Sequence, residues 1–284
     1  MILVTGATGN IGRPLVHELQ ARDATFRVLA RDRDRAFLLF PSAAIVKADL
    51  DDARSVASAM DGAEQIFLLN AGIGTEHTSN IVSAAVDTRV RHIVLLSSLY
   101  AGLDPVPSMG RWHHEREQIL ESSGVPNTFL RPGGFMTNLF EWIPTIREGF
   151  VFDPIGPGRV ALIDPMDVAA SIAVVLTESG HEGARYLLTG NEPLTVAEQT
   201  EVLAGVLGRP LVVRAAQDAS DALSFRYPQG APPELADALI ESLEHLRSDT
   251  IGFRTATVRH LLGREPGTLA EWCARNASEF RLSD

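Results

Sequence analysis

The sequence predicts an α/β protein whose first half folds as a doubly wound parallel sheet, and three observations support this prediction. Short apolar runs alternate with amphipathic segments along the first half of the chain. The runs are continuous, without period-two alternation, which is typical of strands covered by helices on both faces. A glycine-rich turn directly follows the first run. This rhythm favours parallel strands joined by right-handed crossovers.

The individual elements follow from these runs in chain order. Six strands are expected in the first half, at 2–5, 26–30, 44–48, 65–69, 92–96 and 127–130. Helices are expected between them, near 11–22, 33–40, 53–60, 75–89 and 110–123.

The regular alternation of apolar runs and amphipathic segments changes after residues 131–134. Asp164 and Pro165 predict a helix over 166–177, because Asp caps helices and Pro suits the first helical position. A further strand is expected from 184, a short one at 211–214, and helices near 196–207, 233–247 and 269–280. We therefore predict one domain over 1–150, completed by a strand at 184–189. A smaller, mostly helical domain is expected over 151–284.

The composition of the 284-residue chain argues against several classes of protein. The formal net charge of −11 disfavours an extended nucleic-acid surface, because phosphate backbones are bound by clustered Lys and Arg. The single cysteine, Cys273, excludes an internal disulfide framework and a multi-cysteine metal site. No apolar run approaches the ~18–20 residues that span a bilayer, and no basic leader is visible. We expect a soluble cytoplasmic protein that binds neither nucleic acid nor membrane.

Three glycines at intervals of three stand between the first strand and the first helix. Gly6 allows a tight exit from the strand, and Gly9 allows the backbone to approach a pyrophosphate. Gly12 lets the helix pack on the sheet, while the helix N-terminus offers N–H groups to phosphates. This pattern predicts dinucleotide binding in a Rossmann-type fold. The alternative is a purely structural turn.

The end of the second strand indicates which dinucleotide is bound. An acidic residue there would bond the 2′-hydroxyl of NAD, but this chain has Arg31. A guanidinium binds the 2′-phosphate of NADP, and Arg13 and Arg35 are candidates to assist it. Asp32 lies one residue too late for the acidic role. The sequence therefore favours NADP(H), the alternative being a solvated charged turn.

Further candidates follow the next strands. Asp49 and Leu50 suit an adenine edge, with a helix cap as the alternative role for Asp49. Asn70 follows the fourth strand, and Ser97 and Ser98 follow the fifth. All lie at the carboxyl edge of the predicted sheet, where ligands bind in open α/β folds.

Seven motifs occur in order along almost the whole chain: TGATGNIG at 5–12, ARD at 30–32, HIVLLSS at 92–98, SGVP at 123–126, LRPGGFMTN at 130–138, DPMDVA at 164–169 and TLAEW at 268–272. As a set they resemble the NmrA-like branch of the atypical short-chain dehydrogenases/reductases. The resemblance implies a Rossmann domain that binds NADP(H), a C-terminal substrate domain, and a backbone at 132–135 close to the nicotinamide. The candidate cofactor-binding residues are Gly6, Thr8, Gly9, Asn10, Ile11, Gly12, Arg13, Arg31, Arg35, Asp49, Leu50, Leu69, Pro132, Gly133 and Phe135.

The Tyr–Lys pair of the wider superfamily is absent. Tyr100 follows Ser98 by only two residues, and the single lysine, Lys47, lies beside the adenine-side strand. The usual tyrosine and lysine positions correspond to Met109 and His113. We expect His113, with an ordinary imidazole pKa of about 6.5, to donate a proton. The alternative is that it holds the nicotinamide ribose while solvent or a substrate hydroxyl delivers the proton.

Two functions remain open. In the first, the protein uses NADPH to reduce a ketone or quinone carbonyl, with Ser97, Ser98 and Asn70 orienting the oxygen. A phenolic ketone needs least from the protein, which points to a tailoring ketoreductase of a polycyclic aromatic polyketide in an antibiotic pathway. In the second, the protein is a non-catalytic NADP(H) sensor that signals to a protein partner. No metal site is expected, because His113 and Glu117 lack further ligands in the sequence.

Overall fold

The computed structural model describes residues 1–70 and 72–281, except for the Glu234 side chain. Its strands are β1 (Ile2–Val4), β2 (Phe26–Ala30), β3 (Ala44–Lys47), β4 (Gln65–Leu68), β5 (His92–Leu96), β6 (Asn127–Pro132), β7 (Phe150–Asp153), β8 (Val160–Ala161), β9 (Arg185–Leu188), β10 (Pro193–Leu194) and β11 (Val212–Ala215). Its α-helices are α1 (Gly12–Ala21), α2 (Arg33–Leu39), α3 (Ala53–Ala59), α4 (Glu76–Thr88), α5 (Ser108–Ser122), α6 (Ile143–Arg147), α7 (Pro165–Thr177), α8 (Val196–Leu207), α9 (Ala219–Arg226), α10 (Pro233–Arg247), α11 (Thr257–Leu262), α12 (Leu269–Arg275) and α13 (Ala277–Phe280). Two 3₁₀ segments span Leu99–Gly102 and Met136–Trp142.

The chain divides into two compact units. Unit 1 comprises Met1–Val106, Gly110–Pro132 and Pro165–Leu187, and unit 2 comprises the remaining segments. This division differs from the predicted boundary at 150. The chain leaves unit 1 after β6 and returns with α7, because the apolar α7 packs against α1. Residues 282–284 of the predicted second domain lie outside the described residues.

Unit 1 contains a seven-stranded sheet in the order β3-β2-β1-β4-β5-β6-β9. Strands β1 to β6 pair in parallel, so their carboxyl ends share one edge. Leu3, Ile66 and Leu95 are fully buried in its core, as expected for strands covered on both faces. The predicted Rossmann-type fold is therefore confirmed, with strand order reversing between β1 and β4.

Unit 2 contains more strand than the sequence suggested. It holds a parallel pair, β7 with β11, and an antiparallel pair, β8 with β10. The expected helix over 269–280 is broken at Asn276, where α12 ends and α13 begins. Thr195 and Thr268 form the capping boxes that start α8 and α12. Within the described ranges, no helix combines the length and apolar character needed to cross a membrane.

Candidate active site

The glycine turn of unit 1 has the backbone geometry that its sequence predicts. Gly6 adopts a positive φ of 64°, which glycine tolerates best. A Cβ on Gly12 would lie 2.1 Å from the Gly6 carbonyl oxygen, so α1 can start there only with a glycine. A Cβ on Gly9 would meet the Gly6 oxygen at 3.4 Å, an ordinary contact. Gly12 is thus required by packing, whereas the space above Gly9 is open to a ligand.

A pocket of about 220 Å³ lies where β1, β2 and β3 end, beside this turn. It is lined by Thr5, Gly6, Ala7, Thr8, Leu29, Ala30, Arg31, Asp32, Arg35, Asp49, Leu50, Leu69 and His77. The arrangement brings together seven of the predicted cofactor residues from four separate loops. Such a pocket at a reversal of strand order is where nucleotides bind in this class of fold.

Two exposed arginines provide the positive charge of this pocket. Arg31 follows β2 directly, and Arg35 lies in the first turn of α2. The Asp32 carboxylate between them accepts the Arg35 backbone N–H at 2.9 Å and caps α2. The cap sets the start of α2, and both arginines line the same pocket. They fit the 2′-phosphate of NADP better than a ribose hydroxyl.

The other side of the pocket is formed by the segment after β3. The Asp49 carboxylate accepts the Asp51 backbone N–H at 3.2 Å, and Asp52, rather than Asp49, caps α3. His77 was not among the predicted cofactor residues, yet it lines the pocket and its Nε2 lies 2.7 Å from Asp51 Oδ1. The position of His77 depends on where α4 packs along the sheet edge, and no local sequence pattern specifies that packing.

The remaining predicted cofactor residues lie outside the lining of this pocket. Gly9, Asn10, Ile11 and Gly12 continue the turn into α1, and Arg13 Nε donates to the Thr8 carbonyl at 3.0 Å. Pro132 ends β6 in unit 1. Gly133 and Phe135 belong to unit 2, where the Gly133 N–H donates to the Leu188 carbonyl at 2.9 Å. These positions stay predictions for the nicotinamide half of the cofactor.

The ends of β5 and β6 carry a buried network of side chains. The Ser97 hydroxyl donates to Glu117 Oε1 at 2.5 Å, and Arg131 donates to both Glu117 oxygens at 3.0 and 2.5 Å. Ser97 and Glu117 are both buried. The hydroxyl proton of Ser97 is therefore already used, contrary to the expectation that it orients a substrate carbonyl. The sequence pattern singled out Glu117 only as a possible metal ligand together with His113 and did not predict this network.

Ser98 has a partly local role. Its hydroxyl oxygen accepts the Tyr100 backbone N–H at 3.3 Å and caps the 3₁₀ segment Leu99–Gly102. The side chain is half-buried. Ser98 thus shapes the loop after β5, and its hydroxyl hydrogen can still serve a ligand.

His113 lies in α5 in a poorly hydrated environment. Burial, with a smaller contribution from the nearby Arg116 charge, lowers its pKa from 6.5 to about 4. The imidazole is therefore neutral at pH 7. This result departs from the assumption of an ordinary pKa and leaves the ribose-holding alternative as the better one.

Arg116, on the same helix, holds the loop after β4. Its Nε donates to the Gly74 carbonyl at 2.8 Å and its Nη2 donates to the Gly72 carbonyl at 2.6 Å. Both glycines have positive φ angles. Asn70 begins this loop, and its buried amide oxygen and nitrogen have no hydrogen-bond partner among residues 1–70 and 72–281. Such an amide is suited to bind an incoming ligand oxygen or N–H group.

The described residues therefore fit an NADP(H) molecule at the sheet edge, with exposed cations at one end and an unpartnered amide at the other. Within the same ranges, no group of three or more His, Cys, Asp or Glu side chains is arranged to hold a metal ion.

Comparisons with known proteins agree with this assignment. The family model described as NAD(P)H-binding matches residues 6–179. A (4-alkanoyl-5-oxo-2,5-dihydrofuran-3-yl)methyl phosphate reductase of Streptomyces griseus subsp. griseus is 36% identical over 284 residues, covering 99% of each protein. An NAD(P)H azoreductase of Xenophilus azovorans is 33% identical over 286 residues, again covering 99% of each.

A solved structure also resembles the whole chain. The NADPH-dependent quinone oxidoreductase of Escherichia coli, crystallised with NADPH, matches with a TM-score of 0.85 at 28% identity, covering 97% of this chain and 99% of that one. These similarities support the reductase hypothesis over the sensor hypothesis. The chain belongs to the NAD(P)H-binding family as an NmrA-like, atypical short-chain dehydrogenase/reductase, and it is an NADPH-dependent reductase.

Proposed function

We propose that this protein reduces a conjugated carbonyl, in a ketone or a quinone, and that no side chain of the protein transfers the proton. One observation carries the proposal: His113, the candidate proton donor, and Ser97, a candidate to orient the carbonyl oxygen, are not available for these roles. The Ser97 hydroxyl is bound to Glu117, and burial keeps the pKa of His113 near 4. Hydride addition to a quinone gives a delocalised anion, and the alkoxide formed from an ortho-hydroxyaryl ketone takes the proton of the neighbouring hydroxyl. Neither substrate therefore needs an acid from the protein.

The protein's contribution is then binding and orientation. NADPH, when bound, supplies the hydride. Arg31 and Arg35 hold the phosphorylated ribose, and the turn at Gly9 admits the pyrophosphate. The Asn70 amide hydrogen-bonds the substrate oxygen, and the neutral His113 imidazole holds the nicotinamide ribose. The proton that completes the hydroquinone comes from water, and a phenolic ketone uses its own neighbouring hydroxyl, which water then reprotonates. Orientation of this kind can supply much of a rate enhancement.

The substrate class follows from the same chemistry. In a quinone, negative charge spreads over the ring, and in a phenolic ketone the neighbouring hydroxyl already bonds the carbonyl. A polycyclic aromatic polyketide contains such groups, so a tailoring ketoreductase remains our specific proposal. The relatives are consistent with delocalised acceptors, since their names specify an azo compound, a quinone, and a dihydrofuran ring conjugated to oxo groups.

A panel of acceptors tests the proposal through the loss of NADPH absorbance. We expect turnover of a naphthoquinone and of an ortho-hydroxyaryl ketone, with kcat/KM at least about 100-fold above that for cyclohexanone, or ~2.7 kcal/mol of barrier. Equal activity on cyclohexanone would imply an acid in the protein and overturn the proposal. A protein that binds NADPH but reduces none of these acceptors would also overturn it.

A further inference from the structure

Unit 2 contains a second cavity, whose lining shares no residue with the nucleotide pocket of unit 1. Its volume is about 570 Å³, and it lies among α6, β7, α9 and α10 together with the end of the 3₁₀ segment before α6. This volume is within the usual range of small-molecule sites, roughly 300–1,000 Å³. All residues that line it belong to unit 2, so the cavity is a property of that unit alone.

The lining of this cavity is apolar and aromatic. Phe152 and Phe225 stack with ring centroids 3.8 Å apart and planes 12° from parallel. Phe225 nevertheless remains 44% exposed, so part of this ring is accessible to a ligand. Trp142 and a row of leucines on α10, Leu239, Leu243 and Leu246, complete the walls. A flat ring can therefore extend an aromatic stack that already exists.

The charges at the cavity neutralise each other. Among the lining residues that the structure describes, the charged ones are Glu141 and Arg226, and they form an ion pair at 2.8 Å. The Thr145 hydroxyl donates to the Trp142 carbonyl at 3.1 Å. A charged ligand would lose its hydration without gaining a counter-ion, so the cavity discriminates against it.

We propose that this cavity binds an uncharged, flat aromatic molecule of two or three fused rings. The site is distinct from the pocket of unit 1, where the arginines select an anion. Binding to this cavity is measured without hydride transfer, so a failure to bind is distinguishable from a failure of the proposed reductase function.

The test uses probes that cannot be reduced, 2-naphthol and its charged analogue naphthalene-2-sulfonate, titrated calorimetrically without cofactor. We expect 2-naphthol to bind the wild type, with the sulfonate at least about tenfold weaker. Phe225→Ala should weaken 2-naphthol binding by about tenfold. The matched control is Phe37→Ala in α2 of unit 1, since Phe37 is 55% exposed and should leave the affinity unchanged.

The proposal is overturned if 2-naphthol does not bind, if Phe225→Ala and Phe37→Ala bind it with equal affinity, or if the wild type binds the neutral and charged probes equally well. It is also overturned if sedimentation velocity shows a dimer that Phe225→Ala dissociates, because a second copy of the chain would then cover the cavity. If Phe225→Ala unfolds early, Phe225→Leu keeps an apolar contact with Phe152 but removes the ring. The same loss of affinity is expected for that variant.

Discussion

The two halves of the carboxyl edge in unit 1 use their side chains differently. Where β1 to β3 end, Arg31 and Arg35 remain exposed beside an open pocket, and the backbone turn provides the rest of the site. Where β4 to β6 end, Ser97 and Arg131 are bound to the buried Glu117. The first half exposes two cations beside an open pocket. In the second half the side chains after β5 and in β6 bond to Glu117, and the Asn70 amide after β4 stays unpartnered among the described residues. The difference fits our proposal that the protein binds NADPH through the first half and takes no proton from its own side chains.

The largest expected effect comes from removing Glu117, which joins Ser97 and Arg131 in the buried network. Glu117→Ala removes the acceptor for Ser97 and Arg131 and leaves a largely buried guanidinium unpaired. We expect a loss of about 3–5 kcal/mol in the free energy of unfolding, measured by denaturant titration. The control lies on the same helix: Glu121 pairs with Arg185 at the surface, and Glu121→Ala should cost less than ~1 kcal/mol. Equal losses in the two variants would show that the network is not structural.

The second effect concerns pH. Burial lowers the folded-state pKa of His113 from 6.5 to about 4. Between these pH values His113 is protonated in the unfolded chain but not in the folded one. Stability from this group is complete above about pH 6.5 and is lost as the pH falls towards 4, by up to ~3 kcal/mol. In His113→Asn this part of the pH dependence should disappear, while His260→Asn, at an exposed position, should retain it. Parallel stability curves for the wild type and His113→Asn would contradict the burial of His113.

Gly9→Val tests the nucleotide pocket at the carboxyl ends of β1 to β3. The structure accepts a Cβ at Gly9, so the variant should fold normally, but the side chain would occupy the approach of the pyrophosphate. We expect NADPH affinity to fall about 100-fold or more, or ~2.7 kcal/mol, in a fluorescence titration. Gly12→Ala is the contrasting control, because its Cβ meets backbone at 2.1 Å and should lower the melting temperature. A Gly9→Val protein that binds NADPH normally would place the phosphates elsewhere.

The smallest predicted effect separates the two nicotinamide cofactors. Arg31→Ala should weaken NADPH by about tenfold, or ~1.4 kcal/mol, and leave NADH unchanged, because only the 2′-phosphate is affected. Arg33→Ala is a suitable control, since this exposed arginine is outside the pocket lining. A similar loss for NADH would show that Arg31 acts on another part of the cofactor.

The two halves of the carboxyl edge also differ in how far the sequence could predict them. The nucleotide half depends on local signals: glycine spacing fixes the turn at Gly6 and Gly12, and the strand end places Arg31. The predicted fold and the NADP(H) cofactor are accordingly confirmed. The Ser97–Glu117–Arg131 network joins residues up to 34 positions apart, and no local motif specifies that pairing.

The other site predictions depended on which side chains become buried, and the sequence alone does not show this. The pKa assumed for His113 was that of a hydrated imidazole, and the environment that lowers it is created only by packing around α5. His77 reaches the nucleotide pocket through the crossing of α4, which depends on tertiary structure. In unit 2, short strands such as β8 and β10 have only two residues each, too few to give a periodic pattern.

The most direct test of the account is the pH dependence of hydride transfer to a naphthoquinone under saturating NADPH, compared between the wild type and His113→Ala. With a pKa of about 4 at His113, the rate constant should be flat between about pH 5.5 and 8 and should keep the same profile in the variant. A rate that falls with rising pH in this window, and that loses this dependence in His113→Ala, would identify the histidine as the proton donor and contradict the central claim.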